Sequence, residues 1–145
     1  MINDHSLYII KPEALKHSLG IHNIIELGGL HIKKIKRCQL TEDIIKEIYF
    51  DCSSKVIEAT IHFIANQECE VGIVEGVEVI LRLLKLCGED VNPQKCNDGT
   101  IRKLYGIGNP SIFNGTLYYK NAIHRPKTLN EVLKDMKILF DFVNT

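Results

Sequence analysis

The stretch KNAIHRPKTLNEVLKD, Lys120 to Asp135, sets His124 where an apolar strand gives way to a helix. Imidazole offers both a lone pair and a proton near neutral pH, so a histidine held at such a boundary can work as a nucleophile or a proton carrier toward a cleft. Three more polar side chains stand at comparable boundaries: Lys11 at the end of an apolar run, Arg102 just after Thr100-Ile101, and Asn121 three residues before His124. If the chain brings these ends together they form one polar site; if not, each is an ordinary boundary residue. His5, His17, His22, His31 and His62 read as surface or partly buried polar residues on helices and strands.

Elements must position these side chains, and the pattern supplies them. SLYIIK, Ser6 to Lys11, is a short apolar strand stopped by Pro12. From about His17 the spacing of Ile21, Ile24 and Ile25 is helical, and Gly28-Gly29 ends it. Leu30 to Leu40 alternates imperfectly and carries Lys33, Lys34, Lys36 and Arg37, the mark of an edge or bulged strand whose cations face water. Thr41 with Glu42 and Asp43 opens a helix, and a second short helix follows from about Ser54 to Ile64. Glu68 to Gly76 reads as a buried strand leading into a helix through Leu86 that Gly88 closes. Asp90 to Gly99 is turn-rich, and Tyr105 to Thr116 is a loop or small hairpin whose Gly106, Gly108 and Gly115 predict mobility. Leu117 to Ile123 is the fourth strand, and Thr128-Leu129-Asn130-Glu131 is a capping box for a last helix with Leu129, Val132, Leu133 and Met136 inward. This order contains the ferredoxin-like β-α-β-β-α-β pattern of an α/β (α+β) protein, with extra helices after the second and fourth strands. It predicts a four-stranded antiparallel sheet with helices on one face.

The bulk numbers set limits. At 145 residues, 45% hydrophobic and 25% charged, the chain fits one domain, 1–145, able to bury roughly two thirds of its unfolded surface. Five cysteines without a C-x-x-C pair suggest free thiols in a reducing compartment rather than disulfides or a zinc knuckle. The N-terminus lacks a basic segment followed by an apolar core, and no apolar run approaches ~20 residues, so a cytoplasmic protein without membrane contact is expected. The formal net charge of zero gives no global field for nucleic acid, and any anion site must be local. Clustered aromatics of an RNA-binding sheet are absent too, so no specific nucleic acid is expected as partner. Asn114-Gly115-Thr116 matches a glycosylation pattern but reads better as a turn, and the G-x-G at Gly106 lacks the third glycine of a dinucleotide fingerprint.

KPEAL after the first strand, GTIRKLYG in the middle and NAIH near the last strand resemble, in order, motifs of the nucleoside diphosphate kinases. VEGVEVI from Val74 and GEDVNP from Gly88 are similar to that family's WEG and GETNP segments, so the resemblance covers nearly the whole chain. It implies a ferredoxin-like fold and a ping-pong reaction, in which a histidine takes the γ-phosphate of a nucleoside triphosphate and returns it to a nucleoside diphosphate. His124 is then the nucleophile, with Asp135 at the position of the family's orienting glutamate. Aspartate is shorter, so either the helix sits closer or water bridges the gap, and a solvated helix residue is the competing reading. Lys11 and Arg102 match phosphate-contacting residues, Asn121 the sugar-binding asparagine, and Tyr49 the tyrosine beside the histidine. Magnesium arrives with the nucleotide phosphates, and the resemblance also implies a homo-oligomer built from dimers, a tetramer or a hexamer.

Four departures stand out. Val56 replaces the base-stacking phenylalanine, leaving an aliphatic contact. The second phosphate-binding arginine falls at Leu84, with Lys85 beside it as an imperfect substitute. The 105–116 segment is an insertion close to the expected cleft. Pro126 replaces a serine two residues after the histidine, which removes a hydroxyl donor that Arg125 can partly offset. Against an active enzyme stands a second reading, a catalytically weak nucleotide-binding or scaffold protein that retains the fold.

Overall fold

The computed structural model describes residues 4–141. Strand β1, Asp4–Ile10, carries Leu7, Tyr8, Ile9 and Ile10 fully buried, a continuous apolar run that only a strand covered on both faces needs. A 3₁₀ turn, Pro12–His17, leads into helix α1, Ser18–Leu27, and then strand β2, His31–Gln39. Helix α2, Glu42–Ile48, starts where the Thr41 hydroxyl accepts the Ile44 N–H; helix α3, Ser54–Ile64, starts in the same way at Ser53. Strand β3, Glu68–Gly76, is followed by helix α4, Val79–Cys87, and the short helix α5, Ile101–Tyr105, capped by Thr100. Strands β4, Ser111–Phe113, and β5, Thr116–Tyr118, precede β6, Ile123–His124, and helix α6, Leu129–Met136, which runs on into a wider turn, Lys137–Asp141.

The main sheet has the order β2-β3-β1-β6, and every pairing is antiparallel. That is the ferredoxin-like arrangement. As expected, β2 is an edge strand with a bulge between Ile32 and Lys34, and its cations meet acids of β3, as in Arg37–Glu68 at 2.8 Å. Helices cover both faces of the sheet rather than one. Tyr8 and Ile10 pack with Ile21 and Ile25 of α1 and Leu83 of α4, whereas Leu7 and Ile9 pack with Ile45 of α2, Ala59 of α3, Leu139 and Phe140. The helices inserted after β2 and the chain after α6 supply that second layer.

Three other expectations change. The strand foreseen over Leu117 to Ile123 is divided: Thr116–Tyr118 pairs with Ser111–Phe113 in a separate hairpin, and only Ile123–His124 joins the main sheet, at its edge rather than in its interior. Asn121 and Ala122 cause the break, because Ala122 takes a left-handed φ of 75° and the Ile123 N–H reaches back to the Asn121 carbonyl at 2.9 Å. This is the rare, strained form of γ-turn. On α6, Leu129 and Leu133 are 57% and 61% exposed, and the inward face is Val132, Asp135 and Met136. The insertion, finally, is anchored. Its Asn114-Gly115 turn has φ values of 50° and 78° and closes a hairpin that stacks Phe113 on His62 at 4.2 Å and Tyr118 on Phe63 at 4.9 Å. A Cβ on Gly106 would lie 2.5 Å from the Arg102 carbonyl oxygen, so that glycine permits a close approach instead of a hinge. Among the described residues, no helix is long and apolar enough to cross a membrane.

Candidate active site

The end of β1 and the two residues of β6 bring the candidate residues together. Ile9 pairs with His124 and Ile10 with Ile123, and the Lys11 N–H donates to the Ala122 carbonyl at 2.8 Å. Glu13, not foreseen from the sequence, holds the strained turn by accepting the Ala122 N–H at 3.1 Å. Lys11 and His124 are therefore neighbours because their backbones are.

Behind His124 lies Asp135, 1% exposed, with Oδ2 3.2 Å from His124 Nε2. The contact is direct, so neither a water bridge nor a solvated aspartate describes it. A carboxylate only accepts, so Nε2 carries the proton and Nδ1 keeps its lone pair. Burial pushes the imidazole below its ordinary pKa against the opposing pull of Asp135, which favours the neutral, nucleophilic ring at pH 7. Lys134 lies 3.3 Å from Asp135 Oδ1 and donates to the Glu47 carbonyl at 2.6 Å, tying α6 to α2. The Tyr49 ring sits 5.0 Å from the imidazole, tilted by 58°, and burial keeps its phenol protonated.

Three buried cations line the same cleft as this histidine. Lys11 is 4% exposed, donates to the Tyr118 hydroxyl at 3.1 Å, and is pushed down to about 8 by burial. Arg102, 5% exposed, uses Nε and Nη2 on the Ile123 carbonyl at 3.2 and 2.9 Å and Nη1 on the Asp90 carbonyl at 2.9 Å. Arg125, 3% exposed, donates from Nη2 to the Gly88 carbonyl at 2.7 Å. Among the described residues none of the three is within ion-pair distance of a carboxylate. Asp51, Glu89 and Glu131 line the same cleft but stand outside ion-pair distance of these three, which leaves buried cations suited to an anion with several oxygens.

These groups line a cleft of about 380 Å³. Lys11, Tyr49, Val56, Arg102, Asn121 and His124 all face it, and Asp135 supports it from behind. Asn121 donates to the Val91 carbonyl at 3.1 Å and leaves its Oδ1 without a partner. Val56 and Thr60 line it together with Leu117 of the hairpin and Tyr119 just after it, two residues that the sequence did not assign to the site. Lys85 is the exception: it is exposed on α4 and does not line the cleft. It cannot replace the arginine whose position Leu84 fills. Among the described residues no three histidine, cysteine, aspartate or glutamate side chains are grouped to hold a metal ion.

A histidine with an oriented lone pair, in a cleft that buried cations also line, can accept a phosphoryl group. The model of the nucleoside diphosphate kinase family matches residues 4–144. The nucleoside diphosphate kinase of Glaesserella parasuis is 28% identical over 138 residues, 93% of each chain, and that of Haemophilus ducreyi is 34% identical over 107 residues, 72% of this chain and 77% of its own. Among solved structures, the Borrelia burgdorferi nucleoside-diphosphate kinase with bound vanadate and ADP, described as a transition state mimic, superposes with a TM-score of 0.81 at 27% identity, covering 97% of this chain and 88% of that one. The Aquifex aeolicus nucleoside diphosphate kinase superposes at 0.79 and 23% identity, each chain covered to 96%. By its motifs, its fold and these matches, the chain belongs to the nucleoside diphosphate kinase family of phosphotransferases.

Proposed function

We propose that this protein moves the γ-phosphoryl group of a magnesium-bound nucleoside triphosphate to a nucleoside diphosphate in two half-reactions through a phosphohistidine at His124. The observation that carries the reading is the His124–Asp135 contact at 3.2 Å at the edge of a cation-lined cleft. In the first half-reaction the Nδ1 lone pair forms a bond to the γ-phosphorus as the bond to the bridging β-oxygen breaks, and the electron pair leaves with the diphosphate. The second half-reaction is its reverse, with a different diphosphate. Lys11 and Arg102 neutralise charge spreading over the phosphoryl oxygens, which is most of what such a transfer needs from a protein. Asn121 takes the sugar, Tyr49 packs against the imidazole, and Val56 offers the base an apolar surface with little selectivity. Lys85, which does not line the cleft, is given no role. Magnesium belongs to the substrate, held mainly by its phosphates. The vanadate and ADP in the Borrelia burgdorferi structure support the same chemistry here. A cytoplasmic homo-oligomer built from dimers completes the proposal.

Brief incubation with Mg·ATP, followed by intact mass measurement at alkaline pH, should give one added phosphoryl group that any nucleoside diphosphate removes. His124→Gln should give none while melting near the parent. An adduct on that variant would take the nucleophile's role from His124, whereas no adduct and no conversion of GDP to GTP by the parent would leave a protein that binds nucleotides without transfer.

A further inference from the structure

Two cations that line the cleft, Arg125 and Lys127, have no part in the roles above, and of the two only Arg125 is buried. We propose that Arg125 is a catalytic residue of the phosphoryl transfer, its guanidinium entering from the residue after the nucleophile and donating to the phosphoryl group that His124 receives. This rests on the phosphohistidine reading.

Arg125 lines the same cleft as His124, Lys11 and Arg102, and it is nearly sealed from solvent. A guanidinium has five N–H donors in a planar fork. The structure gives Arg125 one hydrogen bond, from Nη2 to Gly88, and leaves its buried Nε without a partner. Arg102 differs: its Nε, Nη1 and Nη2 are all engaged by carbonyl oxygens. Arg125 is the arginine with donor capacity left over, and a buried donor without a partner is rare enough to need a reason. No carboxylate lies within ion-pair distance of it among the described residues. Burial first, and then the like charge of Arg102, pull its pKa down to about 10, with Glu89 among the groups that oppose them. Both guanidinium groups line the one cleft, and a phosphoryl group with three equatorial oxygens can accept from both.

The location also accounts for two departures in the sequence. The arginine foreseen on α4 is Leu84, and Lys85 lies outside the cleft. Arg125 is anchored instead on the carbonyl of Gly88, the residue that ends α4, so the charge missing from that helix returns to its C-terminal end from another segment. Pro126, buried directly after it, removes a flexible neighbour and fixes the entry of the chain to α6.

A purely structural brace would act through the Gly88 hydrogen bond alone, and a neutral amide could keep that bond. The test therefore compares Arg125→Gln, which retains an N–H donor, with Arg125→Lys, which retains the charge but not the fork. The rate of phosphohistidine formation is measured in a single turnover with Mg·ATP, alongside the melting temperature and the KM for ADP. The Gln variant should form the adduct about a hundredfold more slowly than the parent, on the scale of losing one preorganised donor. The Lys variant should be at least tenfold faster than Gln, with KM moving less than kcat in both. Equal rates for Gln and Lys, or a Gln variant within threefold of the parent, would overturn the proposal. If the Gln variant melts below the assay temperature, the Lys variant decides alone: a loss of about tenfold is expected, and the parent's rate refutes it. A parent that forms no adduct refutes both this proposal and the one it rests on, whereas a parent and variants that all form it rapidly refute this one only.

Discussion

Lys11 is placed at a cost that can be measured. Burial lowers its ammonium from the ordinary 10.5 to about 8, and at 1.36 kcal/mol per unit that corresponds to about 3 kcal/mol of destabilisation carried by the charged form in the fold. The sign follows from proton counts. Below pH 8 the lysine is charged in both folded and unfolded chains, and the fold bears the whole penalty. Between pH 8 and 10.5 the unfolded chain binds the proton that the folded chain has released, so stability rises with pH; above 10.5 the penalty is gone. Lys11→Met removes it at neutral pH but also takes the ammonium from the Tyr118 hydroxyl, a bond of 3.1 Å whose loss costs about 1 kcal/mol. The net gain is about 2 kcal/mol, or an upward shift in Tm of about 4–8 °C for a domain of this size. Phosphotransfer should meanwhile fall roughly a hundredfold or more. Thermal melts of parent and variant at pH 7 and pH 10, with an ATP-to-GDP transfer assay at pH 7, check both halves. A variant that melts below the parent at pH 7, or an advantage that does not shrink toward pH 10, would show that the ammonium is stabilised in place and that burial is not its dominant environment.

Two further outcomes concern the support of the site. Asp135→Asn can donate its amide to Nε2 and move the ring proton to Nδ1, so phosphohistidine formation should slow about ten- to a hundredfold with little change in Tm; single-turnover mass measurement at the parent's rate would show that Asp135 does not set the tautomer. Phe113→Ala removes the ring stacked on His62 and should lower stability by about 2 kcal/mol while raising nucleotide KM, because Leu117 of the same hairpin and Tyr119 just after it line the cleft; an unchanged Tm would mean that the hairpin is not fastened to α3.

Where one residue type dictates one local structure, the sequence was readable. The unbroken apolar run Leu7 to Ile10 marked a strand buried on two faces, and Thr41 and Thr128 marked helix starts through side-chain oxygens that accept backbone N–H groups. The helix Ser54–Ile64 and the strand Glu68–Gly76 have the expected bounds. The break at Asn121-Ala122 was hidden because alanine carries no turn signal; the left-handed φ is imposed by the Lys11 and Glu13 contacts, which are distant in sequence. On α6 the leucines suggested one face, but the buried face includes Asp135, whose partner lies on another element. Neither Leu84 nor Lys85 of α4 lines the cleft, so a cation one residue along that helix is no closer to the site than the leucine beside it. The site residues at the ends of β1 and β6 were legible as types, and only the register Ile9–His124 made them one site.

That register divides the site between unequal parts of the sheet. Lys11 continues β1, hydrogen-bonded on both sides, whereas His124 belongs to a two-residue edge strand held by two pairings. Local opening starts where few backbone bonds must break, so amide exchange should be fast around Ile123 and His124 and slow along Leu7 to Ile10. On the proposed chemistry, a triphosphate that reached both Lys11 and His124 would fasten this two-residue edge strand to the strand beside it. The substrate would then be a structural member of the sheet for as long as it stayed, and each release of product would return His124 to the hold of its two pairings.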